Sequence, residues 1–169
     1  MITLFVIAGA AAAVMMPQAS TSPREVDPLI GGQVEKFPQP AELHAKLRAE
    51  PRDASWATGM EKAIQTRVMQ IPLVGKDGNV LRVTCASDLC EIAGTLVAPA
   101  SKAEQQDQNS QFSRTVENLQ VPPLTEDLMH LGLKVESGSF LSGQGKPDRL
   151  VYLLYYSRAN PKGGASQGR

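Results

Sequence analysis

The chain is poor in the residues that most often carry chemistry. Its 169 residues include two cysteines, two histidines and one tryptophan, and aromatics make up 5% of the total. Seventeen basic and seventeen acidic residues cancel to a net charge of zero. Phosphate backbones are gripped by concentrated basic faces, so no nucleic-acid partner is expected. No G-x-S-x-G elbow is present to expose a nucleophilic serine. His44 and His130 are distant from the cysteines and from each other, without the paired spacing of zinc sites. Gly143-Gln144-Gly145-Lys146 imitates a phosphate loop, but Phe140 stands where the first glycine belongs and Pro147 where Ser or Thr belongs, so it reads as a turn. Glu126-Asp127 sits at a predicted helix start, where negative charge suits the helix dipole. The sequence therefore predicts no catalytic residue, no metal ligand and no cofactor.

What is present points to a compartment. Residues 1–16 (MITLFVIAGAAAAVMM) carry no charge. That is shorter than the ~20 residues of a spanning helix and suits a signal peptide or an N-terminal membrane anchor. No Lys or Arg precedes the run, and cleavage after Ala19 would put Pro17 at the third position back. A buried helix is the alternative reading. The two cysteines, Cys85 and Cys90, have four residues between them and lie between two strand-like segments. With the apolar opening, they read as a disulfide in an exported protein, periplasmic or secreted, free or held at the inner membrane by residues 1–16. Reduced thiols and a redox-active pair are the alternatives. Thioredoxin-like motifs, however, have two residues between the cysteines and place the attacking thiol at a helix N-terminus.

Residues 17–40 contain five prolines and a Gly-Gly pair and read as an extended tether. Residues 41–158 form one α+β domain, and the Gly-rich residues 159–169 read as a disordered tail. Within the domain, Leu43 and Leu47 mark a short helix ended by Pro51, with His44 on its solvated face. Asp53 is placed to cap a helix running to about Gln70. Its apolar stripe is Trp56, Met60, Ala63, Ile64, Arg67, Val68 and Ile71, with Glu61, Lys62, Gln65 and Thr66 toward water and Trp56 as a core anchor. Strands follow over residues 80–85 and 90–97. If Cys85 opposes Cys90, then Val83 opposes Ile92 and Leu81 opposes Gly94, so one register satisfies both the cysteines and the apolar pattern. Arg82, Thr84, Glu91 and Thr95 then point the other way. Residues 98–110 read as a loop or frayed helix start. Phe112, Val116 and Leu119 mark a helix broken at Pro122-Pro123. Thr125 is placed to cap a short helix with Leu128 and Leu131, ended by Gly132, with His130 on its surface. Two more strands span 133–141 and 149–157. The expected architecture is an α+β two-layer sandwich: a four-stranded antiparallel sheet of two hairpins with helices on one face, in the order α-β-β-α-β-β.

The last strand is apolar on both sides. If Val151, Leu153 and Tyr155 pack under the helices, then Tyr152, Leu154 and Tyr156 form an exposed patch suited to protein contact. The alternative is that the tail, the tether or the first short helix covers that face. Asp53, Trp56, Glu61 and Ile64, followed by Cys85, Cys90 and Glu91, form the pattern D-x2-W-x4-E-x2-I … C-x4-C. In residues 50–98 the chain resembles a group of small uncharacterised exported bacterial proteins with this pattern. The resemblance implies export and the disulfide, and carries no activity. The functional expectation is a non-enzymatic envelope protein, structural or interacting, whose partner is another envelope protein and which meets a membrane only through residues 1–16. The alternative is a small periplasmic thiol/disulfide accessory or enzyme using Cys85 and Cys90.

Overall fold

A computed structural model describes residues 37–76, 78–97, 105–142 and 149–160. The apolar residues 1–16, most of the tether, the Gly143–Lys146 turn and most of the tail lie outside the described residues. The element order is α1 (Pro38–Ala49), α2 (Ala54–Val68), β1 (Leu81–Cys85), β2 (Leu89–Val97), α3 (Gln105–Gln120), α4 (Leu124–His130), β3 (Leu133–Ser142) and β4 (Arg149–Arg158). Among the described residues no helix is long and apolar enough to cross a membrane.

Local chemistry sets most of the boundaries. Helix α1 begins three residues before the expected boundary, because Pro38 is tolerated in a first turn whose N–H groups have no helical partner. It stops before Pro51, with Glu50 extended. The Asp53 carboxylate accepts the Ser55 N–H and caps α2. Thr125 does not cap α4; that position belongs to Pro123, without a side-chain hydrogen bond. Gly132, with φ +79°, takes the left-handed turn that leads from α4 into β3.

The four strands form one antiparallel sheet in the order β1-β2-β4-β3, so the two hairpins join through β2 and β4. In the first hairpin Cys85 opposes Cys90, Val83 opposes Ile92 and Leu81 opposes Gly94, the register read from the sequence. In β3 a bulge between Val135 and Ser137 interrupts the ladder on this edge strand.

The sheet is covered on both faces. Toward α2, α3 and α4, Ile64, Val68, Leu119 and Leu128 pack on Cys85, Cys90, Ile92, Leu96, Tyr152, Leu154 and Tyr156. On the other face, α1 supplies Leu43 and Leu47 to a second cluster with Leu89, Ala93, Leu141, Val151, Leu153 and Tyr155. The α+β sheet stands as expected, but only three helices share a face; α1 crosses the other.

This overturns the expected surface patch. Tyr152, Leu154 and Tyr156 are all buried. β4 pairs with β2 so that Cys90 opposes Tyr156, Ile92 opposes Leu154 and Gly94 opposes Tyr152, which puts all three on the staple's side of the sheet, under the helices. Tyr152 lies across Gly94, where a Cβ would run into its hydroxyl and into the Val80 carbonyl. Among the described residues the hydroxyl is buried without a hydrogen-bond partner, and burial raises its pKa well above the ordinary tyrosine value. Burial likewise pushes Tyr156 up to about 12.

Overpacking a closed core costs about 1–3 kcal/mol. Gly94→Ala is therefore expected to lower the urea midpoint by that equivalent. Tyr152→Phe removes an unsatisfied hydroxyl and is expected to leave stability unchanged or raise it. A Gly94→Ala variant as stable as the parent would remove the Tyr152–Gly94 contact as a packing constraint.

Candidate functional site

The chemically active side chains gather around the closed end of the first hairpin and on the sheet face beneath α1. At the hairpin end, Cys85 and Cys90 form a disulfide with a Cα–Cα distance of 4.1 Å. Both residues are at most 1% exposed. Cys85 sits on the outer strand, and its backbone groups turn away from β2. Its N–H donates to Glu61 Oε1 at 2.8 Å, and its carbonyl accepts from Arg52 Nη1 at 3.0 Å. Arg52 also forks onto Glu61, with Nη1 to Oε1 at 2.5 Å and Nη2 to Oε2 at 2.8 Å. The Arg52 hydrogen bond holds the Glu61 carboxyl below its ordinary pKa, against burial and with help from the Cys85 N–H. Glu61 is therefore not the water-facing residue expected from the stripe of α2; it closes part of the open edge of β1.

The turn itself is tied down by Glu50 and by the backbone of Arg158. Glu50 accepts from the Ser87 hydroxyl and the Asp88 N–H, both at 3.3 Å. The Arg158 N–H at the end of β4 donates to the Asp88 carbonyl at 2.7 Å. The Arg158 guanidinium lies 4.9 Å from the centre of the Trp56 ring and 3.8 Å from Asp53. Trp56 is thus half-buried, packed against the first core and covered by a cation. The residues of the D-x2-W-x4-E-x2-I … C-x4-C pattern meet here: Asp53, Trp56 and Glu61 at the hairpin end, Ile64 in the core beneath it, and Glu91 one residue beyond Cys90.

Glu91 is 1% exposed and faces α1. His44 Nδ1 donates to Oε2 at 2.7 Å, Tyr155 Oη donates to Oε2 at 2.9 Å, and Arg82 Nη2 donates to Oε1 at 2.7 Å. Burial alone would raise its pKa. His44 and then Arg82 outweigh burial by hydrogen bond and charge and hold it below the ordinary value. The Tyr155 hydroxyl is pushed far up by burial and then by Glu91, so it remains a neutral donor. Arg48, also on α1, adds a positive charge near Tyr155. His44 is therefore not on a solvated helix face. It points into the sheet, and Tyr155, expected under the helices on the cysteines' face, lies instead beside Glu91 on the face that α1 covers. The available signal was Glu91 itself, a carboxylate in the middle of an otherwise apolar strand.

These arrangements hold backbone and neutralise charge. The disulfide leaves Cys85 and Cys90 without thiolates to offer a metal, and no group of three or more His, Cys, Asp or Glu side chains among the described residues is placed to hold one. His130 is exposed at the end of α4. A cleft of about 220 Å³ lies between α2, α3 and α4, lined by Arg67, Ile71, Asn118 and Asp127 among others, away from both clusters.

No protein-family model matches the chain, and no curated protein matches it. Among solved structures, it is similar to the type 4 fimbrial biogenesis protein PilO from Pseudomonas aeruginosa, at 12% identity, over 74% of this chain and 82% of that one, with a TM-score of 0.23. A likeness at that TM-score carries no argument about function.

Glu91→Gln weakens three hydrogen bonds and removes the buried carboxylate that faces Arg82 and His44. A loss of about 2–3 kcal/mol is expected at pH 7. The pH sign follows from the lowered folded pKa. Stability from Glu91 is fully present above the ordinary value of about 4.3 and is lost as pH falls through the folded value. Glu61 acts in the same direction, so the difference between parent and variant isolates Glu91. Urea midpoints at pH 7 and pH 3 are expected to converge on acidification; an unchanged gap would remove Glu91 as the source.

Proposed function

We propose that the chain is an exported structural module that works by protein contact in the envelope, with Cys85–Cys90 as a staple. The observation that carries this reading is the burial of both cysteines at a hairpin end fixed by Glu50, Arg52, Glu61 and Arg158. Thiol exchange needs a sulfur that an incoming thiolate can reach, and these sulfurs lie in the first core. Disulfides persist in oxidising compartments, which supports export together with the uncharged residues 1–16. The closed loop is short, so its stabilising effect in the chain-entropy account is about 2 kcal/mol. The staple therefore adds to a fold that polar clamps and core packing already hold. Because Tyr152, Leu154 and Tyr156 are core residues, contact with a partner falls to other surfaces. Met129 on α4 and Val135 on β3 are exposed apolar residues.

The reduction potential separates this reading from a thiol/disulfide accessory. A value below roughly −300 mV is expected, with no acceleration of insulin reduction; a potential in the oxidoreductase range with turnover would overturn the staple. In cells, alkylation is expected to find the pair oxidised in the full chain and reduced when residues 1–16 are deleted. Oxidation in both would count against export. Photo-cross-linkers at positions 129 and 135 are expected to yield an adduct with an envelope protein, and absence of adducts at both would overturn contact through these two positions.

A further inference from the structure

The two cores are closed by unequal means. The first is covered by α2, α3 and α4 and pinned by the disulfide. Among the described residues, the second is closed by α1, one helix of 12 residues, which contributes Leu43 and Leu47 to it. An isolated helix of that length is marginal in water, so its stability comes from docking. Its C-terminal end is anchored: Glu50 holds Ser87 and Asp88, and Arg52 holds Cys85 and Glu61. Further along the helix, His44 reaches the buried Glu91.

We propose that α1 is a hinged strap, fixed at Glu50–Arg52 and latched by His44 on Glu91, which opens from the sheet while the rest of the fold stays closed. The distribution of partners around Glu91 makes such an opening feasible. Arg82 comes from β1 and Tyr155 from β4, so two of the three donors belong to the sheet and stay with the carboxylate when α1 leaves. Lifting α1 therefore does not strand an unpaired charge, which is the usual obstacle to exposing a buried ion. The same asymmetry is absent from the other face, where three helices and a covalent bond would have to give way together. Opening uncovers Leu89, Ala93, Leu153 and Tyr155, an apolar row with a carboxylate in its middle. The strap is a conformational device of the fold and does not depend on the disulfide being only a staple.

Hydrogen exchange on the full chain, read by mass spectrometry at neutral pH, tests the strap directly. Amides of residues 41–49 are expected to exchange through a local opening, at least tenfold faster than those of β2 and β4. His44→Ala is expected to speed exchange in this stretch about tenfold further and to leave α2, β2 and β4 unchanged. His44→Asn, which keeps a donor near the Nδ1 position, is expected to recover part of the protection. Leu43→Ala, which loosens the helix without touching the latch, provides a second variant and is expected to act on 41–49 alone. Exchange of 41–49 in step with β4 in the parent chain would overturn the strap. Equal loss in His44→Ala and His44→Asn would overturn His44 as the latch.

Discussion

The register between β1 and β2 is the constraint on which the rest of the structure depends. Once Cys85 faces Cys90, alternation along the strand leaves no freedom. Cys90, Ile92, Gly94 and Leu96 must share one face, and Leu89, Glu91, Ala93 and Thr95 the other. β2 is central and passes this parity to β4, where Tyr152, Leu154 and Tyr156 follow the cysteines and Val151, Leu153 and Tyr155 follow Glu91. A slip of one residue would drive the Glu91 carboxylate under α2 and α4, among Ile64, Val68 and Leu128, where no donor among these residues could meet it. The covalent bond and the buried charge therefore enforce the same pairing from opposite faces.

A buried carboxylate is expensive unless its lone pairs are used, and here they are used economically. Tyr155 is directly opposite Glu91 across β2 and β4, and Arg82 reaches it from the neighbouring strand. The sheet supplies these donors through its own register, so the site exists only when all three strands are aligned. The same logic operates at the hairpin end. Glu61 and Arg52 occupy the outward N–H and carbonyl of Cys85, groups that an edge strand would otherwise offer to another chain. Glu91, Arg82, Glu61 and Arg52 thus fix backbone and register.

Much of the fold was legible because its signals were local. Asp53 before an apolar stripe, Pro51 after a short helix, and two cysteines bracketing four residues each have a single economical reading. The faces of β4 were not legible in the same way. Residues 151–156 are apolar at every position, so period-two alternation gives no direction, and only the pairing with β2 decides that Tyr152, Leu154 and Tyr156 face the larger core. His44 was illegible for a related reason. Helix α1 has little amphipathic contrast, and a histidine beside Leu43 reads as surface until a partner 47 residues away is known. Glu61 was misread because a helix face cannot be called solvated until the strand beside it is placed. Each of these misreadings concerns a contact between segments far apart in sequence, and each was resolved by the register of the sheet.

That dependence also explains why stability is unevenly spread over so small a domain. A sheet covered on both faces buries its central strands almost end to end, and β2 and β4 meet this with mostly apolar side chains, Glu91 and Thr95 being the buried polar exceptions. Among the described residues, three helices and a disulfide share the load on one face, while the other face receives the single helix α1. Apolar burial scales with area, so the face covered by the smaller element is held by the smaller free energy, and polar contacts must carry a larger share there. His44 on Glu91 has that position. The placement of a buried charge beneath the least secure helix is then a consequence of the fold: it is the site where one directional interaction can change whether the cover stays down.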